Sequence, residues 1–192
     1  MQFIDLGGVK MLTAIGLVEL TSIAKGIQVA DVMLKTADVE ILVSTPVCPG
    51  KYFVLIHGDV AAVESSVAAG IKIGREYVVD DFILANVHPS VYPAITSTVE
   101  VTEIHALGVL EGFSIASMIV AADSALKAAD VDAIELRLGT GIGGKSFFTM
   151  TGDVAAVNAA VEAGAQKAID KGFLVEKVVI PAPSKKLMKS LL

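Results

Sequence analysis

Hydrophobic positions in the first half of the chain follow two spacings that alternate along the sequence. A continuous apolar stretch such as AIGLVEL (14–20) predicts a buried strand, and apolar residues that recur every three or four positions after Ser22 predict a helix. The pattern predicts strands at 14–20, 39–45, 52–58 and 77–87, and helices at 23–36 and 60–76 with Ser22 and Asp59 as N-caps. The predicted order is therefore β-α-β-β-α-β, an α/β (α+β) arrangement.

The second half of the chain repeats the first. Residues 14–39 align without gaps to 106–131, with 14 of 26 positions identical, and 50–70 align to 144–164, with 12 of 21 identical. The repeat predicts strands at 106–112, 131–138, 146–152 and 173–180, and helices at 114–128 and 153–171. Two similar domains related by a pseudo-symmetry axis are therefore expected, and such a chain can form a ring with half the usual number of subunits.

The predicted domains span 14–95 and 106–192. Residues 1–13 precede them, and we expect the first ten of these to be irregular. The segment 96–105 links the domains; because it is polar and β-prone, we expect it to pair with a sheet edge. The tail 184–192 is predicted to be a short amphipathic helix that packs on its own domain or on a neighbour.

Composition narrows the class of protein. The chain is 54% hydrophobic, with a mean hydropathy of +0.69 and no Trp, yet no apolar run approaches the roughly 18–20 residues of a membrane span. We therefore expect the excess apolar surface to lie in subunit contacts. A net charge of −6 without a basic stripe argues against nucleic-acid binding. One cysteine and no signal-peptide pattern favour a cytosolic protein without an internal disulfide.

One glycine-rich segment resembles a phosphate-binding loop. Residues 139–146 (GTGIGGKS) fit the pattern G-x-x-x-x-G-K-[ST]. That pattern needs a helix directly after the glycines, because the free N–H groups of the helix hold the phosphates. The segment that follows, SFFTMTG, predicts a strand instead, and the corresponding loop of the first copy is TPVCPGK. We interpret both as turns between strands, with an enzyme or nucleotide-binding protein as the alternative.

The ionisable residues show no catalytic or metal-binding arrangement. His57, His88 and His105 lack the spacing of metal ligands, and we interpret them as structural or surface residues. Glu19 and Glu111 recur after a buried strand, where we expect them to pair with a backbone amide or with a neighbouring subunit. No other acid or base is placed to complete a catalytic pair, so the chain is not predicted to be an enzyme.

Four short motifs recur in the same order in both halves: E-x-x-S-I-A, A-D-x-x-L-K-x-A-D-V, G-K and G-D-V-A-A-V. Over about residues 14–184, these motifs resemble the domains of bacterial microcompartment shell proteins. A chain with two such domains is similar to the tandem-domain shell proteins. That resemblance implies a homotrimer shaped like a flat hexagon, which tiles with other shell proteins into a shell in the bacterial cytoplasm. A ligand-binding regulator built from tandem small domains is the remaining alternative.

The resemblance also implies a pore. In that family the β–β loop of each domain points at the central axis, which implies loops 46–51 and 140–145 here. The implied pore-lining residues are Pro46, Val47, Cys48, Pro49, Gly50, Gly141, Ile142, Gly143 and Gly144. The segments ELTSIAKG, CPGK, ANVHPSV and GIGGK are most similar to the propanediol-utilisation type of shell protein. That type implies a [4Fe–4S] cluster bound by Cys48, the cysteine before Pro-Gly-Lys.

Elementary chemistry agrees with a shared cluster. One cysteine cannot hold a cluster that needs about four ligands, but three copies around a three-fold axis bring three thiolates together. Ile142 occupies the equivalent place in the second domain, so only alternate loops would supply sulfur. Such a cluster would plug the pore and could carry electrons across the shell, with an enclosed redox enzyme as partner. Two alternatives stay open: a pore without a cluster that conducts small metabolites, and a zinc site with three thiolates and water.

Two lysines recur at equivalent helix ends, Lys35 in LKTADV and Lys127 in LKAADV. A lysine there suits the helix dipole, and the competing interpretation is a contact at a subunit or tile edge. The segments NVHPS (86–90) and VIPAPS (179–184) lack the arginine of the edge motif that single-domain shell proteins often carry. The resemblance therefore does not imply an arginine-based edge contact.

Overall fold

The computed structural model describes residues 14–191 and forms two sheets with the same topology. The first half contains β1 (Ala14–Leu20), α1 (Ile23–Thr36), β2 (Val39–Val47), β3 (Lys51–Gly58), α2 (Val60–Gly74), a 3₁₀ turn (Arg75–Tyr77), β4 (Val78–Ala85) and α3 (Val91–Ile95). Its four strands are antiparallel in the order β2-β3-β1-β4. The predicted β-α-β-β-α-β order is confirmed in this half.

The second half repeats that arrangement. It contains β5 (Ala106–Gly112), α4 (Ile115–Ala128), β6 (Asp132–Leu138), β7 (Ser146–Gly152), α5 (Val154–Asp170), β8 (Leu174–Ile180) and α6 (Lys185–Leu191). The strand order β6-β7-β5-β8 matches that of the first sheet, element for element. The tail is helical, as predicted. The prediction for the first ten residues lies outside the described residues, which also contain no helix long and apolar enough to cross a membrane.

Two helices pack on one face of each sheet. In the first half, Val18 and Val54 of the sheet join Val29, Val63 and Val67 of α1 and α2 in one core. Glycine in the central strand brings the helix close: a Cβ at Gly16 would lie 2.6 Å from methyl carbons of both Val63 and Val67. The central strand of the second sheet has glycine at the same place, Gly108, against α5.

The opposite face of the first sheet is also buried, and the second half of the chain covers it. Leu17, Leu55 and Phe82 point to this face, because side chains alternate along a strand, and they share one core with Ile115 and Ile119 of α4. The two halves are therefore joined through a continuous apolar interface between the first sheet and α4.

The helix starts confirm one predicted cap, Ser22, and correct the other, Asp59. The Ser22 hydroxyl accepts a hydrogen bond from the N–H of Lys25 at 3.3 Å. Ser114 serves α4 in the same way. Asp59 and Asp153 occupy the N-cap positions of α2 and α5, but neither side chain makes the capping hydrogen bond, so the predicted capping by the Asp59 side chain is wrong.

The end of β2 and the linker between the domains differ from the predictions. We expected the proline to end regular structure at residue 45, but β2 continues through Pro46 and Val47, which pair with Tyr52 and Lys51. Since β2 is an edge strand, the missing N–H of proline costs it no ladder partner. Residues 96–105 form no strand, which corrects the expected edge pairing. This linker is held instead by the buried side chain of Ile104.

Candidate functional site

The two loops that were predicted to line a pore contact each other. The N–H of Cys48, at the β2–β3 turn, donates to the carbonyl oxygen of Gly139 at 3.2 Å. A Cβ at Gly144 would lie 2.7 Å from the carbonyl oxygen of Cys48, so only glycine lets the two backbones approach this closely. One loop from each domain therefore forms a common surface at one end of the domain junction.

Most of the predicted lining residues are accessible on this surface. Pro46, Cys48, Pro49, Gly50, Gly141 and Gly143 are exposed, and Ile142 is half-buried. Val47 and Gly144 are buried instead. The Val47 side chain packs against Gly139, where it belongs to the same core as Ile115. Val47 and Gly144 thus support the contact between the loops.

Cys48 is the only cysteine of the chain, and its thiol is exposed. No group of three or more His, Cys, Asp or Glu side chains that could hold a metal ion occurs among residues 14–191. A single chain thus supplies one sulfur ligand to a metal or cluster. The donor set fits an iron–sulfur cluster only when other copies of the chain contribute equivalent thiolates.

The glycine-rich loop lacks the geometry of a phosphate-binding loop. Residue 146 begins β7, and the next helix starts only at Val154, as the sequence pattern predicted. The Ser146 hydroxyl is buried and has no hydrogen-bond partner within the described chain. Four glycines between 139 and 144 adopt positive φ, which is what a tight turn between two strands requires.

A buried carboxylate joins the two domains beside these loops. Glu19 at the end of β1 is fully buried and pairs with Lys51 of β3 at 2.5 Å. Its second oxygen accepts hydrogen bonds from the N–H groups of Ile115 at 2.9 Å and Ala116 at 3.3 Å. Negative charge at a helix N-terminus is stabilised by the free N–H groups and the helix dipole. Glu19 of the first domain therefore caps α4 of the second.

A second carboxylate of the first domain reinforces this contact. Asp80 of β4 accepts hydrogen bonds from the hydroxyls of Ser114 at 2.5 Å and Ser117 at 2.7 Å, and from the ammonium of Lys171 at 2.5 Å. Burial acts to raise the pKa of Asp80, but these hydrogen bonds outweigh burial and lower it. For the adjacent Asp81, burial and the charge of Asp80 raise the pKa against the opposing effect of Lys171.

Only part of this junction was visible in the sequence. The expectation that Glu19 pairs with a backbone amide is confirmed. Asp80 and Lys171 were missed, because they come from elements whose contact depends on how the two domains pack. The sequence feature that pointed to this junction was the recurrence of a glutamate and of a Gly-Lys pair at equivalent places in both halves.

The repeated lysines both pair within their own helix. Lys35 lies 2.7 Å from Asp31, and Lys127 lies 2.6 Å from Asp123, each four residues earlier. Asp123 also accepts a hydrogen bond from the N–H of His88. Partial burial and the charge of Lys127 lower the pKa of His88 despite the nearby Asp123. Both lysine side chains remain partly exposed.

The chain resembles proteins of one kind. A family model described as the BMC domain matches residues 14–87 and 106–183. The bacterial microcompartment shell protein PduT of Citrobacter freundii is 42% identical over 181 residues, which cover 94% of this chain and 98% of that protein. Both matches extend over the two repeated halves.

Two solved structures share the fold. A crystal structure of a microcompartment protein from Desulfitobacterium hafniense DCB is 58% identical with a TM-score of 0.83, covering 92% of this chain and 98% of that one. The fused permuted hexameric shell protein MSM0275 of the RMM microcompartment is 24% identical with a TM-score of 0.63, covering 82% of this chain and 85% of that one. The second similarity concerns the fold alone.

Proposed function

This chain belongs to the BMC-domain family of bacterial microcompartment shell proteins, and from that premise we propose that three copies form one tile with a cluster-bearing pore. Its role is structural, and it is not an enzyme. The proposed domains are 14–95 and 106–192, joined by the linker 96–105. The tile would lie in the shell beside other shell proteins.

Assembly is supported above all by a difference between two equivalent helices. The repeat places Ile23, Ile27 and Leu34 of α1 where α4 has Ile115, Ile119 and Leu126. In α4 these side chains are 0%, 0% and 5% exposed, because they pack on the first sheet, whereas in α1 they are 41%, 56% and 42% exposed. An exposed apolar face marks an interaction site, and the matching face of α4 is covered by a sheet. A second copy of the chain carries such a sheet.

The outer face of the second sheet is the complementary surface. In the first sheet the buried Phe82 contributes to the face that α4 covers. At the matching place in β8 the second sheet has Val178, which is 41% exposed. The second sheet of one copy would therefore receive α1 of the next, head to tail. A contact of this kind closes into a ring when the rotation allows it, and three two-domain chains supply the six domains of a hexagonal tile.

The contact between the two loops supports a central pore. Since one loop from each domain meets within a single chain, three copies would bring six such loops around one axis. The proposed lining consists of Pro46, Cys48, Pro49, Gly50, Gly141, Ile142 and Gly143, with Val47 and Gly144 packed behind them. Lys35 and Lys127 would then lie toward subunit or tile edges.

The exposed thiol of Cys48 supports a metal centre on that axis. Three copies would supply three thiolates, the number that leaves one iron of a [4Fe–4S] cluster for another ligand. When bound, such a cluster provides one-electron transfer across the shell. Cys48 would hold it, and Pro46 and Pro49 would limit the freedom of the loop. A redox enzyme inside the compartment is the proposed partner.

One experiment tests the tile and the cluster together. We would measure native mass, iron and acid-labile sulfide on anaerobically purified protein, for the wild type and for Cys48→Ala. The expected wild type has the mass of three chains and about four iron and four sulfide ions per trimer. The variant should keep the mass and lose both ions, because the thiol lies outside the domain contacts.

Other outcomes separate the alternatives. An intact trimer without iron in either protein would leave a pore for small metabolites, and zinc in place of iron would indicate a three-thiolate zinc site. A variant that keeps the full iron content would contradict the assignment of Cys48. A wild type that stays monomeric at all concentrations would contradict the tile.

A further inference from the structure

The junction inside the chain provides a template for the junction between copies. Glu19 and Asp80 face each other across β1 and β4, and Glu111 and Glu176 face each other in the same way across β5 and β8. The second sheet therefore carries a carboxylate pair at the place where the first sheet carries the pair that holds α4.

The groups of α4 and α5 that bind these carboxylates also have counterparts in the first domain. The repeat places Lys25 of α1 where α4 has Ser117. Arg75 is the C-cap of α2, and Lys171 is the C-cap of α5. The first domain thus presents two cations where the second domain presents the serine and the lysine that bind Asp80.

Both sides of this second junction are incomplete within one chain. Glu111 is 33% exposed at its side chain and pairs only with Lys145, at 2.9 Å, whereas Glu19 is fully buried. Glu176 is exposed, and its carboxylate accepts a bond only from the N–H of the next residue, Lys177. Within the described part of the chain, Glu176 has no counterpart of the two hydroxyls and the ammonium group that bind Asp80.

The receiving surface is a cleft beside the start of α1. Its lining consists of Lys25, Gln28, Ile73, Arg75, Glu76 and Tyr77. The N–H groups of Ile23 and Ala24, which match those that bind Glu19, have no acceptor among residues 14–191. The two cations outnumber the one carboxylate of the cleft, that of Glu76, and together with the free helix N-terminus they are complementary to carboxylates.

We propose that Glu111 and Glu176 of one copy bind α1 of the next copy, Glu111 at the N–H groups of Ile23 and Ala24 and Glu176 between Lys25 and Arg75. The partner is a second copy of this chain. The inference rests on the proposed trimer and names the polar contacts that would orient its subunits. The carboxylates lie on the second sheet and their partners at the start of α1, so the contact joins unlike surfaces, head to tail.

The two junctions differ in charge. Inside the chain Asp80 binds two hydroxyls and one cation, whereas Glu176, one methylene longer, would meet two cations. The subunit junction is thus the more ionic of the two. Exposed charges lose most of their attraction as ionic strength rises, so salt should weaken the contact between copies and leave the tethered domains in contact.

Charge reversal tests the pairing. We would measure the trimer-to-monomer dissociation constant by sedimentation for wild type, Glu176→Arg, Arg75→Glu and the double variant, at about 0.1 M and about 1 M salt. Each single reversal should weaken assembly by about tenfold or more, since like charges would oppose each other. The double variant should regain most of the loss at low salt, and high salt should weaken the wild type.

Matched controls keep the test decisive. Glu64 and its counterpart Asn158 are exposed in both domains, so Glu64→Arg should leave the constant unchanged. Thermal unfolding of each monomer shows whether a variant folds. Glu111→Gln is a milder second variant, which tests the contact of Glu111 with the start of α1. A trimer that is indifferent to salt and to all three variants would overturn this junction while the tile stands. A wild type that never self-assembles would overturn both.

Discussion

At the scale of single residues, Glu19 is held by groups from both domains. It comes from the first domain, it is fully buried, and it binds the ammonium of Lys51 together with two N–H groups of α4. A buried ion pair contributes little net stability compared with apolar packing, but removing one partner is costly because the other charge stays buried. Glu19 therefore couples the folding of the two domains.

Replacing Glu19 by Ala should lower the free energy of unfolding by about 3–5 kcal/mol. The loss has two sources: Lys51 keeps its charge in a site that is only slightly exposed, and the first N–H groups of α4 lose their acceptor. Urea unfolding monitored by circular dichroism measures this cost. Glu64→Ala, at an exposed position of α2, should stay within about 0.5 kcal/mol of wild type, and an equal cost for both variants would refute the structural role.

The sequence signalled Glu19 without revealing its partners. Its recurrence as Glu111 singled out the position, and a backbone amide was among the expected partners. The amide belongs to Ile115, almost a hundred residues later, and Asp80 joins the same contact from another strand. Local periodicity carries no information about which surfaces of two domains meet, so those partners could not be predicted.

At the scale of elements, the hydrophobic pattern predicted the order of strands and helices in both halves. The strongest signals were apolar runs that alternate with segments of helical spacing. The repeat also gave two sequences from which to predict each element. The wrong predictions fall where the position of a segment in the fold overrode a local sequence rule. Pro46 was expected to end β2, yet an edge strand tolerates it. Residues 96–105 have a strand-like composition but form no strand.

The equivalent helices α2 and α5 predict opposite outcomes for the same glycine-to-alanine substitution. Alanine is favoured over glycine inside a helix by about 1 kcal/mol. At Gly164 of α5, however, a Cβ would lie 2.7 Å from the carbonyl oxygen of Ala121, which is backbone and cannot move aside. At Gly70 of α2 the nearest atoms, at 3.0 Å, belong to the flexible side chain of Met33.

We therefore expect Gly164→Ala to destabilise the chain by about 1–3 kcal/mol through overpacking. Gly70→Ala should be neutral within about 1 kcal/mol, because the helix propensity offsets a small shift of Met33. Thermal or urea unfolding of the two variants side by side gives the comparison. Equal effects would mean that the approach of α4 to α5 is no closer than that of α1 to α2.

At the scale of the whole molecule, the duplication explains why one chain leaves an apolar helix face uncovered. Two similar domains meet through unlike surfaces: the first sheet covers α4, whereas the matching face of α1 stays exposed, as does Val178 on the second sheet. The high hydropathy of the chain agrees with this arrangement, since the exposed face of α1 carries Ile23, Ile27 and Leu34 where the covered face of α4 carries Ile115, Ile119 and Leu126. The covered face of α4 is thus a direct guide to what α1 requires.

The last prediction concerns that open helix face. Ile27→Arg should abolish self-assembly, because the arginine would have to be buried without a partner where the matching Ile119 is fully buried. The fold of the single chain should survive within about 0.5 kcal/mol, since Ile27 is exposed there. Val60→Arg is the matched control: Val60 and its counterpart Val154 are exposed in both domains, so neither lies where domains meet. Sedimentation should show a monomer for the first variant and the wild-type mass for the second. An Ile27→Arg protein that keeps the wild-type mass would mean that the copies meet through another surface, and the proposed ring would have to be abandoned.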